Sequence, residues 1–263
     1  MGASSKVRMK MNKAKVLVLD IETSPLLVYV WGLKEQFITI PQIKKDWFIM
    51  AWSAKWLEDS KSLVYYDLRN RKAGDDRPIL IPLWKMLNEA DIVITQNGQQ
   101  FDSKKINARF MLNGIKPPKP FAHHDTYQIV KKVASFTSNS LEYLTNKFCK
   151  THKKLSHAKF SGWKLWAECL NGNISAWNEM KKYNIEDVLS TEEFYLKIRS
   201  WVPETLPKVF ALTDSSSECG TCGYYGKMKE GRPRHAKTRM YKQHSCPKCG
   251  SWQRGSVIKG KEV

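Results

Sequence analysis

The sequence predicts an α/β fold, in which helices flank a mixed β-sheet, followed by a small cysteine-rich domain. Strand-like segments come first, and strands then alternate with helices until a long helix closes the pattern. Two Cys-x-x-Cys pairs near the C-terminus indicate the second domain. A chain of 263 residues, 42% of them hydrophobic, is long enough for one sizeable core and a small satellite domain.

The predicted strands are rich in β-branched and aromatic residues, whereas the predicted helices show an apolar period of three to four. The strands lie near 15–22, 28–33, 48–56, 63–66 and 91–95. The helices lie near 79–90, 103–114, 126–133, 140–149 and 174–201, with Ser138 as the N-cap of the fourth. A basic loop covers 150–163.

Charge and turn residues divide the chain into five predicted segments. Prolines at 203 and 207 and serines at 215–217 mark a linker between the two domains. The segments are a basic flexible arm (1–14), the α/β domain (15–201), the linker (202–218), the cysteine-rich domain (219–255) and a basic tail (256–263).

The chain is strongly basic, with 44 Lys and Arg against 25 Asp and Glu and a net charge of +19. Such a field favours polyanions, either nucleic acid or an anionic membrane surface. No apolar run approaches the ~18 residues that span a bilayer, and the N-terminus lacks the apolar segment of a signal peptide. Six cysteines without an export signal are not expected to form a disulfide framework. We therefore expect a cytoplasmic protein.

Four carboxylates stand where the local pattern favours apolar residues. Asp20 and Glu22 interrupt the aliphatic segment V-L-V-L-D-I-E-T, and strand residues two apart share a face, about 6–7 Å apart at the backbone. Like charges held so close in a half-buried place need a cation. Asp102 begins a helix, and Asp187 follows Tyr183 by four residues on one face of the long helix.

Four carboxylates and a tyrosine suit two hard divalent cations, Mg²⁺ or Mn²⁺, which take oxygen ligands and leave positions for phosphate oxygens. Phosphodiester hydrolysis gains from such a pair, because the ions activate water and neutralise charge on the leaving oxygen. Each piece alone has a simpler interpretation: a salt-bridged strand edge for D-x-E, a helix N-cap for Asp102 and a half-buried aromatic for Tyr183. Their order and combination favour the metal site.

The three acidic segments L-D-I-E-T (19–23), N-G-Q-Q-F-D (97–102) and Y-N-I-E-D (183–187) resemble, in this order, the motifs of the DnaQ-like, DEDD-type 3′–5′ exonucleases. That superfamily has a ribonuclease H-like fold. The chain most resembles its YprB-type ribonuclease H-like domains, which include phage-encoded relatives that would act in the host cytoplasm. The resemblance covers about 15–201. A tyrosine four residues before the last acid, with Lys182 instead of histidine five before it, is typical of the tyrosine branch, DEDDy.

The resemblance implies roles for the matching acidic residues. Asp20, Glu22 and Asp187 would hold two Mg²⁺ or Mn²⁺ ions, with Asp102 helping directly or through water. Tyr183 would orient the attacking water.

Other polar residues near these motifs have weaker assignments. Thr23 and Asn97 match family positions near the terminal nucleotide, so the resemblance implies that they contact substrate. Asp125 in H-H-D-T also follows a family habit, although an N-cap for the following helix explains it better. His123 and His124 are neighbours on an extended segment and point apart, so we expect surface or core histidines instead of a metal pair.

Two Cys-x-x-Cys knuckles, each followed by glycine, predict a structural zinc ribbon. Each knuckle places two thiolates on one turn, and the glycine relieves the tight backbone after it. The predicted zinc ligands are Cys219, Cys222, Cys246 and Cys249, with a hairpin between the knuckles. Four thiolates could equally hold iron. Cys149 and Cys169 have no knuckle partner and are expected to be buried small apolar residues.

The C-terminal region is the most basic part of the chain, because residues 205–263 hold twelve Lys and Arg against four Asp and Glu. Basic residues interleaved with aromatic ones can grip a phosphate backbone and stack on bases. The residues concerned are Arg232, Arg234, Lys237, Arg239, Lys242, Tyr224, Tyr225 and Tyr241. The alternative is a zinc-folded basic appendage that docks on a protein partner.

The leading hypothesis is a metal-dependent 3′–5′ exonuclease with a two-metal mechanism, with DNA favoured over RNA and the ribbon helping to hold the strand. One alternative is a non-catalytic nucleic-acid-binding or polymerase-recruiting module, but such a module should have lost an acid or the tyrosine. Another is a structure-specific endonuclease, since ribonuclease H-like folds support both kinds of cleavage. No polymerase domain is recognised in the sequence, so proofreading would need a polymerase or another replication protein as partner.

Overall fold

The computed structural model describes residues 14–34, 37–72, 74–154, 159–203, 205–210, 218–236 and 239–258. The predicted N-terminal basic segment (1–14), except residue 14, lies outside the described residues, and so do parts of the predicted linker and tail. The described residues fall into two compact units, the first within Lys15–Lys197 and the second within Ile198–Val263 together with residue 14.

The first unit alternates strands and helices along the chain. Its strands are β1 (Val16–Thr23), β2 (Leu27–Val28), β3 (Ile43–Lys45), β4 (Ile49–Trp56), β5 (Val64–Asp67), β6 (Ile92–Thr95) and β7 (Ala122–Asp125). Its helices are α1 (Arg77–Glu89), α2 (Asp102–Leu112), α3 (Thr126–Val133), α4 (Leu141–Phe148), α5 (Lys164–Leu170) and α6 (Ile174–Ile198). Within the described ranges, no helix is both long and apolar enough to cross a lipid bilayer.

Five strands form a mixed sheet in the order β5-β4-β1-β6-β7. β1 pairs antiparallel with β4 and parallel with β6, so it lies inside the sheet. Leu17, Val18 and Leu19 are accordingly buried, which explains the nearly continuous aliphatic run of this strand. The predicted fold class, a mixed sheet flanked by helices, is confirmed.

The helices cover the sheet with apolar faces of the expected period. α1 buries Ile79, Leu80, Leu83 and Leu87. The indole N–H of Trp52, a buried β4 residue, donates to the backbone oxygen of Ile79 at 2.8 Å, so this large ring is fixed as well as packed. These contacts pack α1 against the sheet.

Two local predictions differ from the structure, and two observed elements are not among the predicted ones. The strand predicted at 28–33 is limited to Leu27–Val28. β7 is not among the predicted strands, although His123 and His124 are predicted to be extended, because A-H-H-D is short and polar and its strand state depends on parallel pairing with β6. The seven-residue helix α5 is not among the predicted helices. Ser140, and not Ser138, caps α4, because its hydroxyl accepts from the Tyr143 N–H.

The second unit contains a three-stranded antiparallel sheet. β8 (Lys229–Ala236), β9 (Arg239–Ser245) and β10 (Trp252–Ile258) are ordered β10-β9-β8. The β8–β9 hairpin lies between Cys222 and Cys246, as the spacing of the knuckles predicts.

Candidate active site

Three carboxylates that are far apart in the sequence of the first unit lie close together in its structure. Asp20 and Glu22 project from β1, opposite the small residues Ser53 and Ala51 of β4, which leave space above this face of the sheet. Asp187 reaches the same place from α6. One oxygen from each of the three carboxylates lies within 4.8 Å of the others.

The fourth predicted acid is held beside this group. Asp102 is the first residue of α2 and is buried, and its Oδ1 accepts from the backbone N–H of Ile21 at 3.2 Å. Ile21 separates Asp20 from Glu22 on β1. The structure therefore places Asp102 against the strand that carries two of the clustered acids, although its carboxylate is not in the group of three.

The cluster is electrostatically costly without a cation. Burial, then repulsion by Asp187, raises the pKa of Glu22 to about 8 from 4.5. Burial also raises the pKa of Asp102 to about 7. Burial and the carboxylates of Asp187, Asp102 and Glu22 raise the pKa of Asp20 well above its usual range. Oxygen donors that repel one another in this way fit hard divalent cations.

A lysine that the sequence did not single out supplies positive charge to the cluster. The Lys154 ammonium lies 2.6 Å from Oδ2 of Asp187 and 4.5 Å from the ring centroid of Tyr183. Burial alone would lower its pKa, but the attraction of Asp187 raises it above the ordinary value. Tyr183 itself is half-buried, and burial with the Asp187 charge raises its pKa to about 12, so its hydroxyl stays protonated at neutral pH.

The segment before Lys154 is fixed to α6 by backbone hydrogen bonds. Glu193 accepts from the N–H groups of Lys150 and His152 at 2.7 and 2.8 Å. Glu186 accepts from the Lys153 N–H at 3.2 Å. The basic loop predicted from 150 onward is therefore anchored at this end, which gives the lysine a defined approach to the acids.

Two further residues that sequence reasoning missed orient the acids. Asn184 is buried next to Tyr183, and its amide donates to Oδ2 of Asp20 at 2.6 Å. The indole N–H of Trp166, on α5, donates to Oε2 of Glu22 at 3.1 Å. Asn184 lies inside the motif Y-N-I-E-D, so the motif itself could have indicated this residue. Trp166 carried no signal, because its position depends on the fold of a separate helix.

The N-G-Q-Q-F-D loop is held by Asp125. Its carboxylate accepts from the N–H groups of Asn97 and Gln99 at 2.9 and 3.0 Å, and also from Tyr127 and Gln128 at the start of α3. The predicted N-cap role is confirmed, but the same carboxylate also joins the loop to the helix. The backbone of Asn97 is left-handed (φ +61°), which asparagine tolerates well.

Glycine is required at position 98 of this loop. A Cβ there would lie 2.2 Å from the hydroxyl oxygen of Thr95. That hydroxyl lies 2.7 Å from Nε2 of His123, and Nδ1 of His124 lies 2.9 Å from the Tyr195 hydroxyl. The two histidines of β7 therefore have separate partners, Thr95 on β6 and Tyr195 on α6, and His124 is a buried core histidine.

An aromatic cavity opens beside Glu22. Its volume is about 460 Å³, and its lining is Glu22, Thr23, Ser24, Pro25, Phe101, Trp163 and Trp166. Thr23 therefore lies at the cavity and next to the acid cluster in the chain. Asn97 lies in the loop that leads to Phe101 and Asp102, and it does not line the cavity.

A family model now connects this geometry with known proteins. The model described as RNase_H superfamily matches residues 43–199, more than half of the chain. The chain belongs to the RNase_H superfamily. The matched range contains Asp102, Tyr183 and Asp187 and begins after β1. No curated protein sequence matches the chain at a significant level.

The fold of this RNase_H superfamily member also resembles part of a solved structure. The family B DNA polymerase from the hyperthermophilic archaeon Pyrobaculum calidifontis aligns with a TM-score of 0.53 and 15% sequence identity, over 71% of this chain and 25% of the polymerase. The chain thus spans about a quarter of the length of that polymerase. At this identity the likeness shows the fold alone, and the predicted ribonuclease H-like fold is confirmed.

Membership of the RNase_H superfamily supports nuclease activity in general. Nucleases with this fold use divalent metals and bind nucleic acid, and the three clustered carboxylates have the chemistry to hold such ions. The acid cluster is therefore the candidate active site of the RNase_H superfamily domain.

A second candidate metal centre lies in the C-terminal unit. The sulfur atoms of Cys219, Cys222, Cys246 and Cys249 lie within 4.8 Å of one another. Both glycines after the knuckles, Gly223 and Gly250, have left-handed backbone, with φ of +67° and +74°, as the tight turns require. Four thiolates on two turns could bind zinc. Cys149 and Cys169 are buried elsewhere.

The ribbon sheet presents a cationic and aromatic face. Arg234 of β8 lies opposite Tyr241 of β9, and the Arg254 guanidinium lies 4.6 Å from the Tyr241 ring centroid. Trp252 covers Gly231, where a Cβ would lie 2.3 Å from the indole ring, so glycine is needed for this packing. Arginine and aromatic side chains together suit nucleic acid.

Proposed function

We propose that the protein is a metal-dependent 3′–5′ exonuclease of the DnaQ-like DEDDy type, related to YprB-type ribonuclease H-like domains, with DNA favoured over RNA. The observation that carries the proposal is the convergence of Asp20, Glu22 and Asp187 within 4.8 Å, with Tyr183 one helical turn before Asp187. The spacing of these residues in the chain matches the exonuclease motifs, and their meeting in space supports a common site.

The implied cofactors are two Mg²⁺ or Mn²⁺ ions, held by Asp20, Glu22 and Asp187 with help from Asp102. When bound, such ions activate water and stabilise charge on phosphate oxygens. The raised pKa values of the acids fit this role, because a cation removes the repulsion that now favours their protonated forms.

The side chains around the acids perform the positioning. The protonated Tyr183 hydroxyl orients the attacking water, and Trp166 and Asn184 fix the carboxylates of Glu22 and Asp20. Water then attacks the terminal phosphorus, and the P–O3′ bond to the preceding nucleotide breaks. The products are a nucleoside 5′-monophosphate and a strand that is one nucleotide shorter, with a new 3′-hydroxyl.

Substrate would enter at the aromatic cavity beside Glu22. Thr23 lies at its wall, and Asn97 belongs to the loop that carries Phe101, so both are proposed to contact the terminal nucleotide. Lys154, beside Asp187, is placed to neutralise a phosphate oxygen during attack.

We assign nuclease function to 15–201 and strand binding to a zinc ribbon at 219–255, connected by the linker 202–218. One structural Zn²⁺ would be held by the four clustered thiolates. The structural neighbour is a DNA polymerase, which supports a replication context in which the exonuclease acts with a polymerase or another replication protein.

The test uses 5′-labelled single-stranded DNA and RNA of matched sequence, with Mg²⁺, Mn²⁺ or EDTA. A ladder that shortens from the 3′ end, and that EDTA and the double variant Asp20→Asn, Glu22→Gln abolish, is expected. The matched control changes two exposed acids, Asp75→Asn and Glu89→Gln, and should cut normally.

Two results would replace the exonuclease by another function. Cleavage of circular single-stranded DNA would indicate an endonuclease. Intact substrates together with tight, salt-sensitive binding would indicate a binding module, with the ribbon as its main functional region.

A further inference from the structure

An arm of apolar and aromatic residues leaves the sheet directly after the acidic strand. It comprises the described residues 25–34 and 37–47, and it contains β2 and β3. Its large apolar side chains are exposed instead of packed: Trp31 is 100% exposed, Phe37 101% and Ile40 84%. Large exposed apolar residues so close together in the chain favour an interaction surface.

The arm has a defined base and internal hydrogen bonds. At its base, the Ser24 N–H donates to Phe48 O at 2.9 Å, and the Phe48 N–H donates to the Ser24 hydroxyl at 3.1 Å. Farther out, the backbone N–H of Tyr29 donates to the backbone oxygen of Gln42 at 2.9 Å. The side-chain amide of Gln42 donates to the backbone oxygen of Tyr29 at 3.1 Å. These backbone and amide groups of Tyr29 and Gln42 pair within the arm, whereas the rings of Trp31 and Phe37 are fully exposed.

The base of the arm is part of the candidate active site. Ser24 and Pro25 line the cavity beside Glu22, together with Phe101 and Trp163. A ligand that fills this cavity and continues beyond it therefore meets the arm next. In an exonuclease that ligand is the strand upstream of its 3′ terminus.

The chemistry of the arm fits a single strand of nucleic acid. Lysine ammonium groups lie over its rings: Lys44 is 5.4 Å from the Tyr29 centroid, and Lys105 of α2 is 3.6 Å from the Trp47 centroid. Bases stack on exposed aromatic rings, and neighbouring lysines attract the phosphates between them. An apolar protein groove would need the rings but not the paired cations.

We propose that the arm binds the unpaired nucleotides immediately upstream of the 3′ terminus by stacking on Tyr29, Trp31 and Phe37. The proposal rests on the proposed function, since it extends the same site. It assigns the arm to single-stranded nucleic acid, in preference to a protein partner or a second copy of this chain.

The test compares Trp31→Ala, Phe37→Ala with Met111→Ala, Leu112→Ala, a matched pair of exposed apolar residues on α2. Each protein is assayed with a single-stranded 20-mer and with a p-nitrophenyl ester of thymidine 5′-monophosphate, which reaches only the cavity. Stacking contributes about 1–3 kcal/mol per base, so the ratio of kcat/KM for the 20-mer to that for the ester should fall at least about fivefold in the arm variant. The control pair should keep the wild-type ratio.

Binding is measured separately, so that the two proposals can fail independently. In the Asp20→Asn, Glu22→Gln background, fluorescence anisotropy with a labelled single-stranded oligonucleotide should show weaker binding for the arm variant by at least about fivefold. If the wild-type protein cuts neither DNA nor RNA and the arm variant still shows this loss of binding, the arm proposal is supported and the exonuclease is refuted.

Two outcomes would overturn the arm proposal. The first is an unchanged ratio and unchanged affinity in a well-folded arm variant of an active nuclease. The second is a wild-type protein that self-associates by light scattering, with the arm variant monomeric and oligonucleotide binding unaltered, which would assign the arm to a second copy of the chain.

Discussion

Each of the four acids at the candidate site is paired with a residue of the protein that limits its motion. Trp166 holds Glu22, Asn184 holds Asp20, and the Ile21 N–H holds Asp102. Lys154 contacts the remaining acid, Asp187. Preorganisation of this kind lowers the reorganisation needed during reaction. Burying several carboxylates side by side costs free energy, and the raised pKa values of the acids reflect this cost.

That cost predicts how stability depends on pH and metal. Because the pKa of Glu22 is raised to about 8 from 4.5, the folded metal-free protein binds more protons than the unfolded chain between these values. Stability contributed by this group is therefore present at low pH and is lost as pH rises through about 8. Thermal unfolding should show that Mg²⁺ or Mn²⁺ raises Tm little at about pH 5.5 and most at about pH 8.5.

The acid-to-amide variant gives the control for this prediction. Without metal at about pH 8.5, Asp20→Asn, Glu22→Gln should melt at a higher temperature than the wild type, and metal should not shift it. A metal-induced shift of equal size at both pH values would contradict the electrostatic account.

Lys154 has a testable contribution of its own. Lys154→Met keeps most of the side-chain volume but removes the ammonium beside Asp187, so kcat on single-stranded DNA should fall about 100-fold, the scale of one lost charge-stabilising donor. Lys153→Met, an exposed neighbour, should retain wild-type kcat. Equal kcat values in the two variants, from single-turnover assays at saturating substrate, would remove Lys154 from the reaction.

At the scale of elements, Asp125 connects β7, α3 and the loop before α2. Asp125→Ala leaves four backbone N–H groups without this acceptor in a site where the carboxylate is 1% exposed. Hydrogen bonds to a charged group contribute about 1.5–3 kcal/mol each, so the free energy of unfolding should fall by at least about 2 kcal/mol in urea titrations. Asp46→Ala, which removes one exposed bond to Trp47, should change it by less than about 0.5 kcal/mol.

Local periodicity predicted the elements that local sequence determines. α3 was predicted with its observed bounds, and β1 within one or two residues. β7 and α5 were missed because their state depends on neighbours: A-H-H-D pairs with β6, and α5 has only seven residues. The segment 28–33 reads as a strand in its composition, but its aromatic residues lie exposed in the arm.

At the scale of the whole molecule, the candidate sites also contain residues that a local motif predicts and residues that only the tertiary fold brings together. The motifs predicted the acids and Tyr183 because each motif carries its residues within a few positions. Lys154 and Trp166 were not predictable, since they come from a loop and a helix that only the tertiary fold brings to β1. The four cysteines needed no fold at all, because their spacing alone defines two thiolate turns.

The two compact units should therefore respond separately to loss of zinc. Structural zinc contributes about 10–16 kcal/mol to folding in zinc-finger peptides, so Cys222→Ser, Cys246→Ser should unfold the ribbon and remove about one equivalent of zinc by mass spectrometry. Hydrolysis of the thymidine ester, which needs only the cavity and the acids, should continue in this variant. Binding of single-stranded DNA should weaken, and its salt dependence should become less steep as basic contacts are lost.

Cys149→Ala is the matched control, because Cys149 is a buried cysteine of the first unit outside the knuckles. It should retain zinc and the steep salt dependence of binding, even if its smaller side chain lowers Tm. If the knuckle variant lost zinc but bound DNA with unchanged affinity and salt dependence, the ribbon would have no part in strand binding, and a protein partner would become its best assignment. If the knuckle variant also lost ester hydrolysis while the first unit remained folded by circular dichroism, the ribbon would be required for catalysis itself.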